Sequence, residues 1–192
     1  MVHFRLETKI VGPEMTQSVR SSGFTLIELL VTMALAAILL TVTAPELQKL
    51  LANQRLSSSA SNFMTSVMQT RSAALKYNQR VVAQPIAGSG GEWKDGWRIY
   101  VDADLNSTFN AGTDTLVLTQ EALPDNIAIS LSTGPNNFFG YKGSGFLEDA
   151  ISGSANSTWL ISSSATDRRK YLIMERSGRA RLCDPVLTSP CP

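Results

Sequence analysis

The sequence predicts an α+β protein in which one long N-terminal helix packs against an antiparallel β-sheet head. Two observations support this prediction. Apolar residues recur at helical spacing from residue 24 to about residue 79. After Arg80 the pattern changes to short segments rich in β-branched and aromatic residues, separated by clusters of turn-forming residues. We expect the second half of the helix to cover one face of the sheet.

The first element is an apolar run of about 21 residues, 24–44, which is long enough to span a bilayer. A cleaved secretory signal has a shorter apolar region of roughly 7–15 residues, followed by a small-residue cleavage site. No such site follows this run, because the next residues, TAPELQKLLANQRL, have a helical pattern. We therefore expect a permanent anchor, with Arg5, Lys9 and Arg20 on the cytoplasmic side.

Glu28 places a carboxylate inside this apolar run. A charge near the centre of a membrane costs about 2.5–3.5 kcal/mol, less near the interface, and is usually paired or functional. The side chain either extends to the lipid headgroups or pairs with a cation in the same plane. The residues alone leave both alternatives open.

The second half of the helix, residues 46–80, is predicted to be amphipathic. Pro45 is expected to end or kink the apolar part. Apolar residues then recur every three to four positions, at Leu47, Leu50, Leu51, Ala60, Phe63, Met64, Val67, Met68 and Leu75. A helix from Phe24 to Gln79 would be roughly 84 Å long. We interpret its methionines as core residues rather than as part of a cofactor site.

The predicted strands of the head are VVAQPIA, WRIYVDA, TLVLTQEA, NIAISLS, STWLISSS and KYLIMER. Turn clusters such as GSGGEWKDG, DLNSTFNAGTD, STGPNN, YKGSG and SGSANS separate them. The GSGG segment is not followed by Gly-Lys-Ser/Thr, so it predicts a loop without a phosphate site. Short strands with short connections favour antiparallel pairing, in one sheet or in two.

The loop DADLNSTFNAGT has two interpretations. Asp102, Asp104 and Asn106 occupy alternate positions, as in a calcium-binding EF-hand loop. The sixth position, however, is Ser107 instead of glycine, and the twelfth is Thr113 instead of glutamate. We therefore favour a long hairpin whose Asp and Asn side chains cap backbone amides, with no metal and no cofactor.

Positive charge is concentrated near the C-terminus. Residues 167–182 carry six Lys or Arg and two Asp or Glu, while the rest of the chain has an acidic balance. A basic segment on a mildly acidic body suggests an anionic partner at that end.

The same region, RRKYLIMERSGRARLC, predicts a β-hairpin with a turn at Ser177 and Gly178. On the returning strand Arg179 and Arg181 share a face, about 6.6 Å apart, and Arg176 stands across the turn. Clustered guanidinium groups suit contacts with phosphates. The alternative is a solvated strand edge that blocks aggregation.

The remaining chemistry-bearing residues argue against catalysis. Cys183 and Cys191 flank the segment DPVLTSP and are expected to pair as a disulfide in an exported head, since too few ligands lie nearby for a metal site. His3 is the only histidine and precedes the apolar run, which argues against Ser-His-Asp and Cys-His mechanisms. We predict no catalytic residues and no enzyme.

The motif GFTLIELL, residues 23–30, resembles the class III signal of type IV pilins and type II secretion pseudopilins. In that family a prepilin peptidase cuts after the glycine, here Gly23, and the new N-terminal residue, Phe24, is N-methylated. The resemblance implies that Glu28 pairs with the α-amine of Phe24 on an adjacent subunit. It also implies a single-pass protein of the bacterial inner membrane, with its head in the periplasm before incorporation into a pilus or pseudopilus.

The implied domain organisation has four parts. They are a leader over 1–23, a transmembrane half of the helix over 24–45, an amphipathic half over 46–80, and a β-rich head over 81–192 that ends in the basic hairpin and tail. Met15 is an alternative start that would leave a leader of nine residues.

The head is similar to the GspH/FimT branch of minor pilins, most like the FimT type, through DGWRIYVDADLNSTFNAGTDTLVLTQEALPDNI at 95–127. Its tail GRAR, 178–181, matches the GRxR motif of FimT-type pilins, in which the tail is associated with DNA capture during natural transformation. The DNA-binding residues implied are Arg176, Gly178, Arg179 and Arg181, with background attraction from Arg168, Arg169 and Lys170.

The resemblance therefore implies a pilin-like fold and one of two functions. The first is a FimT-type minor pilin whose C-terminal arginines bind double-stranded DNA without sequence preference, for DNA uptake. The alternative is a GspH-like pseudopilin of type II secretion, in which the basic tail is a protein contact or is inert. In both, the partners are other pilins or pseudopilins, the prepilin peptidase and the inner membrane.

Overall fold

The computed structural model describes residues 23–133, 137–148, 156–187 and 191. The predicted leader up to residue 22, with His3 and both candidate start residues, lies outside the described residues. Parts of the predicted STGPNN and SGSANS turns lie outside them as well.

The first element in the described residues is a helix, α1, from Leu26 to Tyr77. Thr25 and Glu28 form a reciprocal cap at its start. The Thr25 amide and hydroxyl each donate to Glu28 Oε2 at 2.9 Å, and the Glu28 amide donates to Thr25 Oγ1 at 3.2 Å. Pro45 lies inside α1, so the helix continues past the end of the apolar part, as the predicted helix from Phe24 to Gln79 requires.

The chain divides into two compact units between Val42 and Thr43. In the first unit every side chain from residue 23 to residue 41 is exposed. The helix α1 is long and apolar enough near its N-terminal end to cross a membrane.

In the second unit, α1 buries a stripe at three-to-four spacing that includes Ala52, Leu56, Ala60, Phe63, Val67 and Ala74. The predicted stripe is correct at Ala60, Phe63 and Val67 and is half-buried at Met64. It is wrong at Leu47, Leu50, Leu51, Met68 and Leu75, which are all exposed. Small residues form much of the observed stripe because alanine lets the helix approach the sheets closely, and a search for large apolar residues overlooks them.

Nine strands follow in the described residues: β1 Val81–Pro85, β2 Trp97–Val101, β3 Thr115–Gln120, β4 Ile127–Thr133, β5 Phe139–Tyr141, β6 Leu147–Glu148, β7 Asn156–Ser163, β8 Thr166–Glu175 and β9 Ala180–Cys183. Sheet A has the order β3-β2-β1-β5-β6, and sheet B has the order β4-β7-β8-β9. All their pairings are antiparallel. The α+β architecture and the six predicted strands are thereby confirmed, whereas β5 and β6 were not predicted.

An aromatic cluster joins the helix to both sheets. The Phe63 ring of α1 lies 5.1 Å from the Trp93 ring, 5.6 Å from each of the Trp97 and Trp159 rings, and 5.9 Å from the Phe139 ring, centroid to centroid. All four contacts are edge-to-face, the arrangement that aromatic quadrupoles favour. Because Trp97 and Phe139 belong to sheet A and Trp159 to sheet B, Phe63 fixes the helix over both.

Candidate nucleic-acid interface

The basic C-terminal region forms the predicted hairpin from β8 and β9. Met174 lies opposite Ala180, and Ile173 lies opposite Arg181. Residues directly opposite each other in an antiparallel pair share a face, and successive residues alternate between faces. Met174 is fully buried in the core, so it and Ala180 lie on the inner face of sheet B. Arg179 and Arg181 flank Ala180 in the sequence and therefore project from the opposite, outer face. Both arginines are exposed.

The structure divides the predicted DNA-binding residues between the two faces of the sheet. Arg169 shares the outer face with Arg181, but it lies four residues from Ile173 along β8, or roughly 13 Å. Lys170 lies opposite the core residue Ile161 and so occupies the inner face, whereas Arg168 is exposed beside an irregularity in the register of β7 and β8. The ammonium of Lys170 is also 3.6 Å from Asp184 Oδ2, so part of its charge is neutralised within the chain.

Arg176 lies in the turn between the two strands, and Gly178 makes the turn possible. The Glu175 amide donates to the Arg179 carbonyl and the Gly178 amide donates to the Glu175 carbonyl, both at 2.8 Å. Gly178 has a φ of +83°, which side chains other than glycine rarely adopt. A Cβ atom at this position would also collide with the Gly145 carbonyl oxygen. The glycine of the GRAR sequence is therefore required by local structure.

Sequence reasoning missed Arg71, which lies beneath this turn. Its Nε donates to the Gly145 carbonyl at 3.0 Å, and its Nη2 donates to the Ser177 carbonyl at 3.4 Å. Partners 74 and 106 residues away leave no sequence pattern that could have identified it.

The electrostatic environment leaves the exposed arginines available to a ligand. Glu175 is half-buried and lies opposite Arg179, where it reduces the local positive potential. In the described part of the chain, however, no ion pair joins Arg176, Arg179 or Arg181 to a carboxylate. These guanidinium groups can therefore contact an external anion without first breaking an internal salt bridge.

A disulfide joins Cys183, the last residue of β9, to Cys191, with their Cα atoms 5.9 Å apart. Cys183 lies two residues beyond Arg181 and shares its face. The bridge therefore ties the end of the tail to the strand that carries the two arginines.

The carboxylates of the acidic loop after β2 accept hydrogen bonds from backbone amides of the same loop. Asp102 accepts hydrogen bonds from the amides of Asn106 and Ser107, and Asp114 accepts from those of Ala103 and Asn110. The predicted capping of backbone amides by Asp side chains is confirmed.

Three carboxylates of this loop, those of Asp102, Asp104 and Asp114, have oxygens within 4.8 Å of one another. The guanidinium of Arg80, nine-tenths buried, forms an ion pair with Asp102 and donates to Ser107 Oγ at 2.8 Å. Burial raises the pKa of Asp102, against the lowering effects of the Ser107 amide and of Arg80. The chain itself thus supplies a cation beside these acids.

Comparison with known proteins identifies two matching families. The family described as "Type II transport protein GspH" matches residues 59–178, and the "Prokaryotic N-terminal methylation motif" matches residues 19–44. No curated protein matches the chain.

Solved structures with a similar fold include two crystal forms of the type IV minor pilin FimU of Pseudomonas aeruginosa PAO1. Both superpose with a TM-score of 0.52, at 16% and 17% sequence identity. They cover 68% and 66% of this chain and 90% and 91% of the pilin chain. The minor pseudopilin EpsH of the Vibrio cholerae type 2 secretion system gives a TM-score of 0.48 at 15% identity, over 68% of this chain and 98% of that one. The likeness to FimU shows a shared fold, with a long N-terminal helix packed on antiparallel sheets.

Proposed function

The chain belongs to the GspH family of type II transport proteins, and on that premise we propose that it is a minor type IV pilin of the FimT type. It is a non-catalytic filament subunit that binds double-stranded DNA through its C-terminal arginines during DNA uptake by natural transformation. The observation that supports this role is the pair of exposed guanidinium groups, Arg179 and Arg181, on the outer face of the terminal hairpin.

The spacing of these arginines fits a DNA backbone. Residues two apart on a strand are about 6.6 Å apart, and each DNA strand carries one phosphate per about 3.4 Å of helix axis. Arg179 and Arg181 can therefore contact two phosphates of one strand, with Arg176 beside them at the turn. Contacts of this kind position the duplex without reading its bases, so binding is independent of sequence and falls steeply with salt.

The N-terminal unit fits a processed membrane anchor. The match to the methylation motif over residues 19–44 supports cleavage after Gly23, which makes Phe24 the new N-terminal residue. The apolar helix that follows holds the subunit in the inner membrane as a single pass, with the head in the periplasm, until other pilins incorporate it into a filament. Within the filament, Glu28 pairs with the α-amine of Phe24 on a neighbouring subunit.

DNA binding by the full chain in neutral detergent micelles tests the proposal. Arg179→Gln with Arg181→Gln should weaken binding to duplex DNA by about tenfold or more at low salt. Because two phosphate contacts are lost, the logarithm of affinity should also fall less steeply with the logarithm of salt, by about 1.8. The matched control, Arg55→Gln with Lys76→Gln, removes the same charge from exposed positions of α1 and should change affinity little. Equal affinities of the two double variants would overturn the proposal.

The description of the family itself supports a second candidate, a pseudopilin of a type II secretion system. In that case the basic hairpin contacts other pseudopilins or exported proteins, or it has no partner. Cross-linking from residue 179 in cells separates the two functions: adducts with secretion-system proteins would favour the pseudopilin, whereas adducts with imported DNA would favour the minor pilin. Gene neighbourhood provides an independent test.

A further inference from the structure

The turn that carries Arg176 is held by groups outside its own hairpin. Arg71 extends from α1 and donates to two carbonyls at once, those of Gly145 and Ser177. Gly145 belongs to the turn between β5 and β6, so one guanidinium connects two turns to the helix. Its planar arrangement of donors suits such a bridge, because both bonds form from one rigid group.

Two further contacts hold the same turn. The Leu147 amide of β6 donates to the Arg176 carbonyl at 3.1 Å. A Cβ atom built on Gly178 would come within 2.9 Å of Arg71 Nε, which shows how closely the turn lies against this side chain. The backbone of residues 176–178 is therefore fixed to the helix and to sheet A, although β8 and β9 belong to sheet B.

We infer that Arg71 is a positioning residue for nucleic-acid binding, an inference that rests on the proposed function. By holding the Ser177 carbonyl, Arg71 fixes the backbone of the turn. The side chains of Arg176 and Arg179 extend from this backbone, so their starting points are fixed as well. Two phosphate-binding groups fixed in advance lose less conformational freedom when DNA binds, and this strengthens binding. Arg71 itself is half-buried, and its Nε and Nη2 already donate to carbonyls, so these two nitrogens position the turn while they are bonded there.

The variants Arg71→Met and Arg71→Lys separate positioning from charge. Methionine removes both hydrogen bonds, whereas lysine keeps the positive charge but loses the two-pronged geometry. A net hydrogen bond contributes about 0.5–1.5 kcal/mol, so each variant should weaken duplex binding by the full chain by about threefold to tenfold. Arg55→Met, an equal loss of charge at an exposed position of the same helix, should have little effect.

A double-mutant cycle provides a measurement that a general loss of stability would not mimic. In the Arg179→Gln, Arg181→Gln background, Arg71→Met should weaken binding much less than it does in the wild-type protein, because the groups it positions have been removed. Hydrogen exchange of the Leu147 and Gly178 amides should accelerate in Arg71→Met by more than the loss of global stability accounts for, because the turn opens locally.

The outcomes distinguish the inference from the function on which it depends. If the Arg179 and Arg181 changes leave affinity unaltered, the proposed function fails. If those changes weaken binding but both Arg71 variants bind as the wild type does, only the positioning role fails. If Arg71→Lys binds normally and Arg71→Met weakens binding equally in both backgrounds, Arg71 is a direct phosphate contact and the inference is overturned.

Discussion

At the scale of single residues, Gly178 is the residue of the GRAR motif whose identity the local backbone geometry explains directly. Replacing it with alanine should destabilise the hairpin by about 1–3 kcal/mol, because the new Cβ is strained at positive φ and collides with the Gly145 carbonyl. Displacement of the turn should also weaken DNA binding. The control is Gly112→Ala, where a Cβ meets nothing within 4 Å. Chemical denaturation and DNA titration of both variants test this prediction, and equal behaviour would contradict it.

Tyr141 gives a pH-dependent prediction. It is fully buried in β5, and burial raises its pKa to about 12, above the value of about 10 expected in the unfolded chain. Since the unfolded chain releases this proton first, the stability contributed by the neutral phenol is complete below pH 10 and is lost as pH rises through 12. The difference corresponds to about 3 kcal/mol.

The variant Tyr141→Phe isolates this effect, because the hydroxyl donates only a weak bond to Met174 Sδ, at 3.9 Å. Between pH 8 and pH 12, the free energy of unfolding of the wild type should fall relative to that of the variant by about 2 kcal/mol. Denaturant titrations at each pH measure the difference. Parallel curves for the two proteins would show that Tyr141 does not ionise in this way.

At the scale of elements, the aromatic cluster determines how the helix meets the two sheets. Phe63→Ala should lower the free energy of unfolding by about 3–5 kcal/mol, because it removes one ring from edge-to-face contact with four others. Met68→Ala is the control on the same helix, since Met68 is 45% exposed and should cost less than about 1 kcal/mol. Equal losses in denaturant unfolding would show that Phe63 does not hold the helix to the sheets.

The alternation of apolar and polar residues in the sequence predicted the strands of five residues or more. The six longer strands and the basic hairpin were recognisable because β-branched residues alternate between clear turn signals. The strands β5 and β6 contain three and two residues, one of them a glycine, which is too short for alternation to be visible. The strand β5 pairs with β1 and β6 pairs with β5, and these long-range pairings are not contained in a local pattern.

The same limit applies to the candidate site. The sequence predicted the turn at Gly178 and the shared face of Arg179 and Arg181, because both depend on residues close together in the chain. It did not predict that Lys170 occupies the opposite face or that Arg71 supports the turn. Those features depend on which face of sheet B meets the core and on contacts with a distant helix.

At the scale of the whole molecule, the two units suit separate tasks. In the first unit the exposed apolar residues 24–41 suit lipid or the interior of a filament, whereas the unit from Thr43 contains the buried core and the hairpin. A change in one unit should therefore leave the task of the other intact, and this expectation makes the role of Glu28 testable apart from DNA binding.

Glu28 caps the helix in the structure and pairs with an α-amine in the proposed filament, and one substitution can separate these two roles. As the partner of Thr25 it caps the helix, a task that glutamine also performs, while pairing with an α-amine requires the negative charge. Glu28→Gln should therefore keep membrane insertion, head stability and DNA affinity. The amount of the variant recovered in filaments sheared from the cells should fall by about tenfold or more. The reason is that the unpaired amine of a neighbouring subunit costs several kcal/mol in an apolar interior. The matched control is Glu46→Gln, which removes an exposed carboxylate from the same helix. Wild-type amounts of Glu28→Gln in filaments, measured by quantitative immunoblotting against the membrane fraction, would show that assembly does not depend on this charge.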